Sequence, residues 1–107
     1  MTREETIQSL VQLDQPLPLL RETLAAFPWD WEGEPLAVVH GREVASILRR
    51  YVAGDLTAEQ VESWANLVEV RDDIEFDADA ADAIFRLANP LINGPIATVA
   101  PTLLEGL

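Results

Sequence analysis

The stretch Glu69–Asp82, EVRDDIEFDADAAD, holds the chain's densest set of groups able to do chemistry. Seven carboxylates (Glu69, Asp72, Asp73, Glu75, Asp77, Asp79 and Asp82) stand against one cation, Arg71. Seven acids less one arginine give a net of −6, half of the whole chain's −12. Carboxylates this close together can hold a cation, share a proton in acid–base work, or face a basic partner. A calcium loop needs oxygen ligands at positions 1, 3 and 5, glycine at 6 and glutamate at 12. Counted from Asp73, the ligand positions fall on Asp73, Glu75 and Asp77, but Ala78 takes the glycine place and Ile84 the glutamate place. The pattern fails at both diagnostic positions. Acid–base work by paired carboxylates needs a cleft, a raised pKa and substrate-binding groups. The chain offers no polar aromatic cluster of the kind that lines a sugar groove. A small metal-binding protein or enzyme using the 72–79 carboxylates is therefore the alternative reading. The plain reading is a solvated loop and helix start, with acids favouring the positive end of the helix dipole. The leading functional reading is a docking face for a basic protein, carried by Asp72, Asp73 and Glu75.

Other chemically capable residues are few. His40 is the only histidine, and Ser9, Ser46 and Ser63 are the only serines. None of the serines lies in a Gly-x-Ser-x-Gly elbow, and a triad or histidine metal site needs His40 to meet a nucleophile or other ligands. His40 reads as a helix-start or half-buried residue. With no cysteine there is neither a disulfide framework nor thiolate chemistry. No catalytic residue, metal ligand or cofactor is assigned, and the chain reads as a non-enzyme. Trp29, Asp30 and Trp31 lie in a proline-bounded loop. Two tryptophans around an acid make good interface anchors, so these three join the candidate partner-binding set. The duller reading has one of the tryptophans plugging the core from the loop.

The overall charge excludes more than it assigns. A net of −12 on 107 residues repels phosphate backbones and anionic membrane surfaces, so neither nucleic acid nor membrane is an expected partner. The length suits one domain, and 49% apolar residues are too many for a chain disordered by lack of hydrophobicity. A domain of this size buries roughly 60–70% of its unfolded surface, enough for one modest core. The start, MTREETIQSL, has no basic region followed by an apolar stretch, and no apolar run approaches the ~20 residues that span a bilayer. A cytoplasmic protein is the expectation. All seven cations are arginine. Genomic codon bias is one explanation, and the better carboxylate pairing of the guanidinium fork is another.

The elements that must position these residues read as helices almost throughout. Thr2 and Glu5 form a capping-box pattern ahead of Ile7, Leu10 and Val11. Pro16 and Pro18 end that helix or open the next, whose stripe is Leu17, Leu20, Leu24 and Phe27. Leu36–Val39 is a short apolar run that resembles a strand, but a lone strand lacks a partner, so it reads as extended lead-in. Val44, Ile47, Leu48, Tyr51 and Val52 form the clearest helical stripe, closed by Gly54 at the C-terminal cap, with Arg49 and Arg50 in the last turn. Thr57 and Gln60 start another helix, buried through Val61, Trp64, Ala65 and Val68. Asp77 or Asp79 caps a further helix through Ala80, Ile84, Leu87 and Ala88, which Asn89-Pro90 stops. Asn93-Gly94-Pro95 turns into a last helix with Pro95 at its first position and an apolar face from Ile96 to Leu107. Pro101 lies inside it and should kink or split it. The expected fold is all-α, a single domain over 1–107 with five or six short helices around one core and loops at 28–40 and 69–78.

The segment Arg50–Ala65, RYVAGDLTAEQVESWA, resembles a turn in small bacterial immunity proteins of contact-dependent growth-inhibition systems. Tyr51, Gly54, Asp55, Leu56, Thr57, Glu62, Trp64 and Ala65 carry the resemblance. The chain as a whole is also similar to small acidic bacterial proteins without an assigned function. The immunity resemblance covers about sixteen residues and implies a cytoplasmic protein that binds and blocks a toxin domain. It carries over no catalytic residue. The expected function is thus a non-catalytic protein-binding module with immunity- or antitoxin-like inhibition as its most concrete form. A homo-oligomeric structural protein is the third reading.

Overall fold

A computed structural model describes residues 2–28 and 32–107. Trp29, Asp30 and Trp31, three of the candidate partner-binding residues, lie outside the described residues. The first helix, α1 (Arg3–Gln12), starts as its sequence dictates. Thr2 accepts a hydrogen bond from the Glu5 amide at 3.1 Å, and the Glu5 carboxylate accepts from the Thr2 amide at 3.0 Å. Helix α2 (Leu17–Ala25) follows Pro16 at its N-cap and buries Leu17, Leu20 and Leu24.

The all-α expectation is corrected by two short strands. Ala37–Val39 forms β1, and Ile74–Phe76, inside the acidic run, forms β2. They pair in parallel, with Ala37 opposite Ile74, Val38 opposite Glu75 and Val39 opposite Phe76. Parallel neighbours need a crossover connection. Helices α3 (Gly41–Val52) and α4 (Ala58–Glu69) supply it. The pleat sends Ala37, Val39 and Ile74 into the core and leaves Val38 and Glu75 outside. The loops expected at 28–40 and 69–78 are correspondingly shorter.

Helix α5 (Ala78–Ala88) is followed by a four-residue helix, α6 (Pro90–Asn93), and then by α7 (Ile96–Gly106). The described residues thus contain seven helices rather than five or six. Pro95 is the N-cap of α7 and not its first residue. Pro101 does not split α7, which runs unbroken to Gly106.

Several distinctive positions of the segment Arg50–Ala65 have a structural role. Gly54 sits at φ +87°, a conformation that side-chain-bearing residues adopt with strain. Its amide donates to the Tyr51 carbonyl and the Asp55 amide to the Arg50 carbonyl, a Schellman closure of α3. Thr57 caps α4 by bonding the Gln60 amide. Trp64 is fully buried, and its indole N–H donates to the Leu10 carbonyl at 2.7 Å, so α4 is tied to the end of α1. Arg50 also reaches α1, donating to the carbonyls of Gln12 and Leu13 where a cation complements the helix dipole. Ile7, Leu20, Val44, Ile47, Leu48, Val61, Ile84 and Leu87 complete one continuous core. No described helix is long and apolar enough to cross a membrane.

Candidate functional site

The acidic segment resolves into one buried carboxylate, one half-exposed and five exposed. Asp73 has no exposure at all. Its Oδ1 accepts from Arg71 Nε at 2.9 Å, and its Oδ2 accepts from Arg71 Nη2 at 2.7 Å and from Arg3 Nε at 3.0 Å. Burial pushes the Asp73 carboxyl up, but hydrogen bonds from Arg71 and Arg3 outweigh it and hold the group below the usual carboxylate range. Arg3 also donates to the Pro28 carbonyl, so the cluster joins the start of α1, the end of α2's connection and the approach to β2. The expectation that Asp73 belongs to an outward docking face is therefore corrected. It is a structural ion-pair centre. A charge run in a sequence does not say which of its members turns inward.

This inward turn changes the surface. Arg71, the segment's one cation, is buried along with Asp73. Glu69, Asp72, Glu75, Asp79 and Asp82 are exposed and Asp77 is half-exposed. Of these, Asp82 pairs with Arg86 one helical turn on, at 3.2 Å. Asp72 precedes the strand and Glu75 stands at its centre on the outer face, so both candidate residues are at the surface.

Asp77 serves two helices at once. Its Oδ1 accepts from the Ala80 amide at 2.8 Å, capping α5. Its Oδ2 accepts from the Gly41 amide at 3.3 Å, at the start of α3, and lies 3.2 Å from His40 Nδ1. The Ala80 amide, first, and then His40 and Gly41 hold its carboxyl below the usual range against a smaller effect of burial. His40 itself is the N-cap of α3, with its backbone N–H donating to Glu43. Asp77 is its side-chain partner, and the pair acts as a brace between the end of β2, α3 and α5.

The carboxylates do not converge as metal ligands. Among the described residues no group of three His, Asp or Glu side chains is placed to hold a metal. Asp73, the first ligand of the calcium-loop reading, has both oxygens occupied by guanidinium groups.

A second surface escaped the sequence reading. Leu91 and Ile92 on α6 are 102% and 75% exposed, and Phe85, on α5, is 47% exposed. Beside them Glu62, Ala88, Asn89, Pro90, Leu91 and Ile92 line an open cleft of about 510 Å³. The available signal was an apolar pair set between Pro90 and Asn93-Gly94-Pro95, in a stretch whose other residues only make turns. Compared with protein families, curated proteins and solved structures, the chain matches none.

Proposed function

We propose that this chain is a non-catalytic protein-binding module that presents the acidic surface around β2 and the start of α5 to a basic protein. The observation that carries the reading is the burial of Arg71 against Asp73. It removes the segment's only cation from the surface and leaves five exposed carboxylates and the half-exposed Asp77 with no arginine of their own segment to balance them. Such a face steers a positively charged partner and accelerates encounter. Asp72 and Glu75 are its contact residues. Inhibition of a basic, nucleic-acid-cleaving toxin is the most concrete form, because an acidic face suits masking a surface built for phosphates.

The test is affinity capture from the organism that makes the chain, run in parallel with an Asp72→Asn/Glu75→Gln variant. The expected result is a basic protein held by the native chain, largely lost with the variant, and blocked in its own activity by a stoichiometric amount of the native chain. A captured set indifferent to the two substitutions contradicts the reading.

A further inference from the structure

Helix α5 ends at Asn89 because the residue before a proline is driven out of the helical region, here to φ −129° and ψ 61°. Pro90 then opens α6, and Gly94, at φ +103°, closes it after one turn. None of the residues of α6 is buried. The turn therefore holds Leu91 and Ile92 out in water, although nothing in the local backbone requires an apolar side chain there. A contiguous apolar projection of this kind marks an interaction site more often than scattered single residues do. Glu62 of α4 lines the same open cleft as Leu91 and Ile92. Glu62 is half-buried and makes neither a hydrogen bond nor an ion pair among the described residues. A half-buried carboxylate in a mostly apolar cleft is stabilised by an incoming cation.

We propose that the α5–α6 corner is a docking site for a basic amphipathic segment of a partner protein. An apolar side chain of that segment packs on Leu91 and Ile92 while a neighbouring cation pairs with Glu62. Charge selects this occupant over a second copy of the chain. Two copies at −12 each repel, and a two-fold contact through this corner would bring two Glu62 carboxylates toward each other. The inference rests on the reading of the chain as a docking protein but not on the acidic surface at β2.

The test uses the full chain and two labelled synthetic amphipathic helical peptides with the same leucine face, one with lysine and one with glutamate on the polar face. Binding is read by fluorescence anisotropy at low ionic strength. The lysine peptide is expected to bind and the glutamate peptide not to. Leu91→Ser/Ile92→Ser should weaken the lysine peptide about tenfold or more, and Glu62→Gln should weaken it several-fold, less so at high salt. Val52→Ser/Val70→Ser, which removes exposed apolar residues elsewhere, should change nothing. Circular dichroism melts verify that each variant is folded. Equal binding of both peptides, no binding of the lysine peptide, or binding indifferent to Leu91→Ser/Ile92→Ser overturns the proposal. Indifference to Glu62→Gln overturns the cation contact. A dimer in sedimentation that Leu91→Ser/Ile92→Ser abolishes assigns the corner to a second copy and overturns the basic partner. Binding lost in Asp72→Asn/Glu75→Gln but kept in Leu91→Ser/Ile92→Ser sinks this inference and leaves the acidic-surface reading standing. The reverse pattern separates them the other way.

Discussion

Asp73→Asn should destabilise the fold by about 3 kcal/mol. The native carboxylate is fully buried and receives three charge-assisted hydrogen bonds, two from Arg71 and one from Arg3. Removing one partner of a buried ion pair costs about 3–5 kcal/mol, because the remaining charge stays buried without compensation. Asparagine keeps one acceptor oxygen, which places the expectation at the lower end. Its amide nitrogen, a donor, then faces a guanidinium donor. For a domain near 100 residues each kcal/mol shifts the melting temperature by roughly 4–8 °C, so a fall of roughly 12–24 °C is expected. The assay is a thermal and urea melt followed by circular dichroism, with Asp72→Asn as the partner experiment. Asp72 is the adjacent, exposed acid, and its substitution should stay within about 0.5 kcal/mol of the native chain. The same pair of variants has a pH signature. The Asp73 carboxyl is depressed in the fold relative to an unfolded value of about 3.9. Its contribution is therefore complete above that unfolded value and is lost as pH falls through the folded one. The gap between native and Asp73→Asn should narrow under strong acid and be constant near neutrality. If Asp73→Asn melts with Asp72→Asn, Asp73 is a surface acid and the inward ion-pair centre does not exist.

Three further outcomes follow from the same geometry. Trp64→Ala should cost about 3–5 kcal/mol, since it empties the largest fully buried side chain and leaves the Leu10 carbonyl without its indole donor; an unchanged urea midpoint would place Trp64 at the surface. Gly54→Ala should cost on the order of 1 kcal/mol through strain at φ +87° alone, because no atom lies within 4 Å of the added carbon, and an unchanged melt would contradict that backbone conformation. The melting temperature of the native chain should rise from low to moderate ionic strength as salt screens the repulsion of a −12 surface, while a flat response would mean that the charges already compensate one another.

Periodicity and cap chemistry made the long helices legible. The Val44–Tyr51 part of the α3 stripe, the Thr2 and Thr57 capping boxes and the Asp77 cap each stand where local sequence places them, because each depends on residues within one or two turns, whereas Val52 at the end of that stripe is exposed. The sheet was not legible in the same way. Ala37–Val39 looks like a strand without a partner, and its partner is hidden in an acidic run where only Ile74 and Phe76, flanking Glu75, alternate. Three-residue strands carry too little pattern, and their pairing is set by the α3–α4 crossover. Helix α6 escaped for the opposite reason. Its apolar residues point outward, so they leave no buried stripe to detect. The candidate site was legible in charge but not in direction. Nothing local to Asp72-Asp73 tells which acid meets Arg3, some seventy residues earlier in the chain.

The acidic surface is tested most directly by the association rate of the captured partner with the native chain and with Asp72→Asn/Glu75→Gln, at low and at moderate salt. Asp73 is left native, since its loss would confuse binding with folding. Exposed charges act mainly on encounter, so the variant should associate about tenfold more slowly at low salt, with a small change in dissociation and a difference that shrinks as salt is added. Equal association rates at low salt would contradict the account.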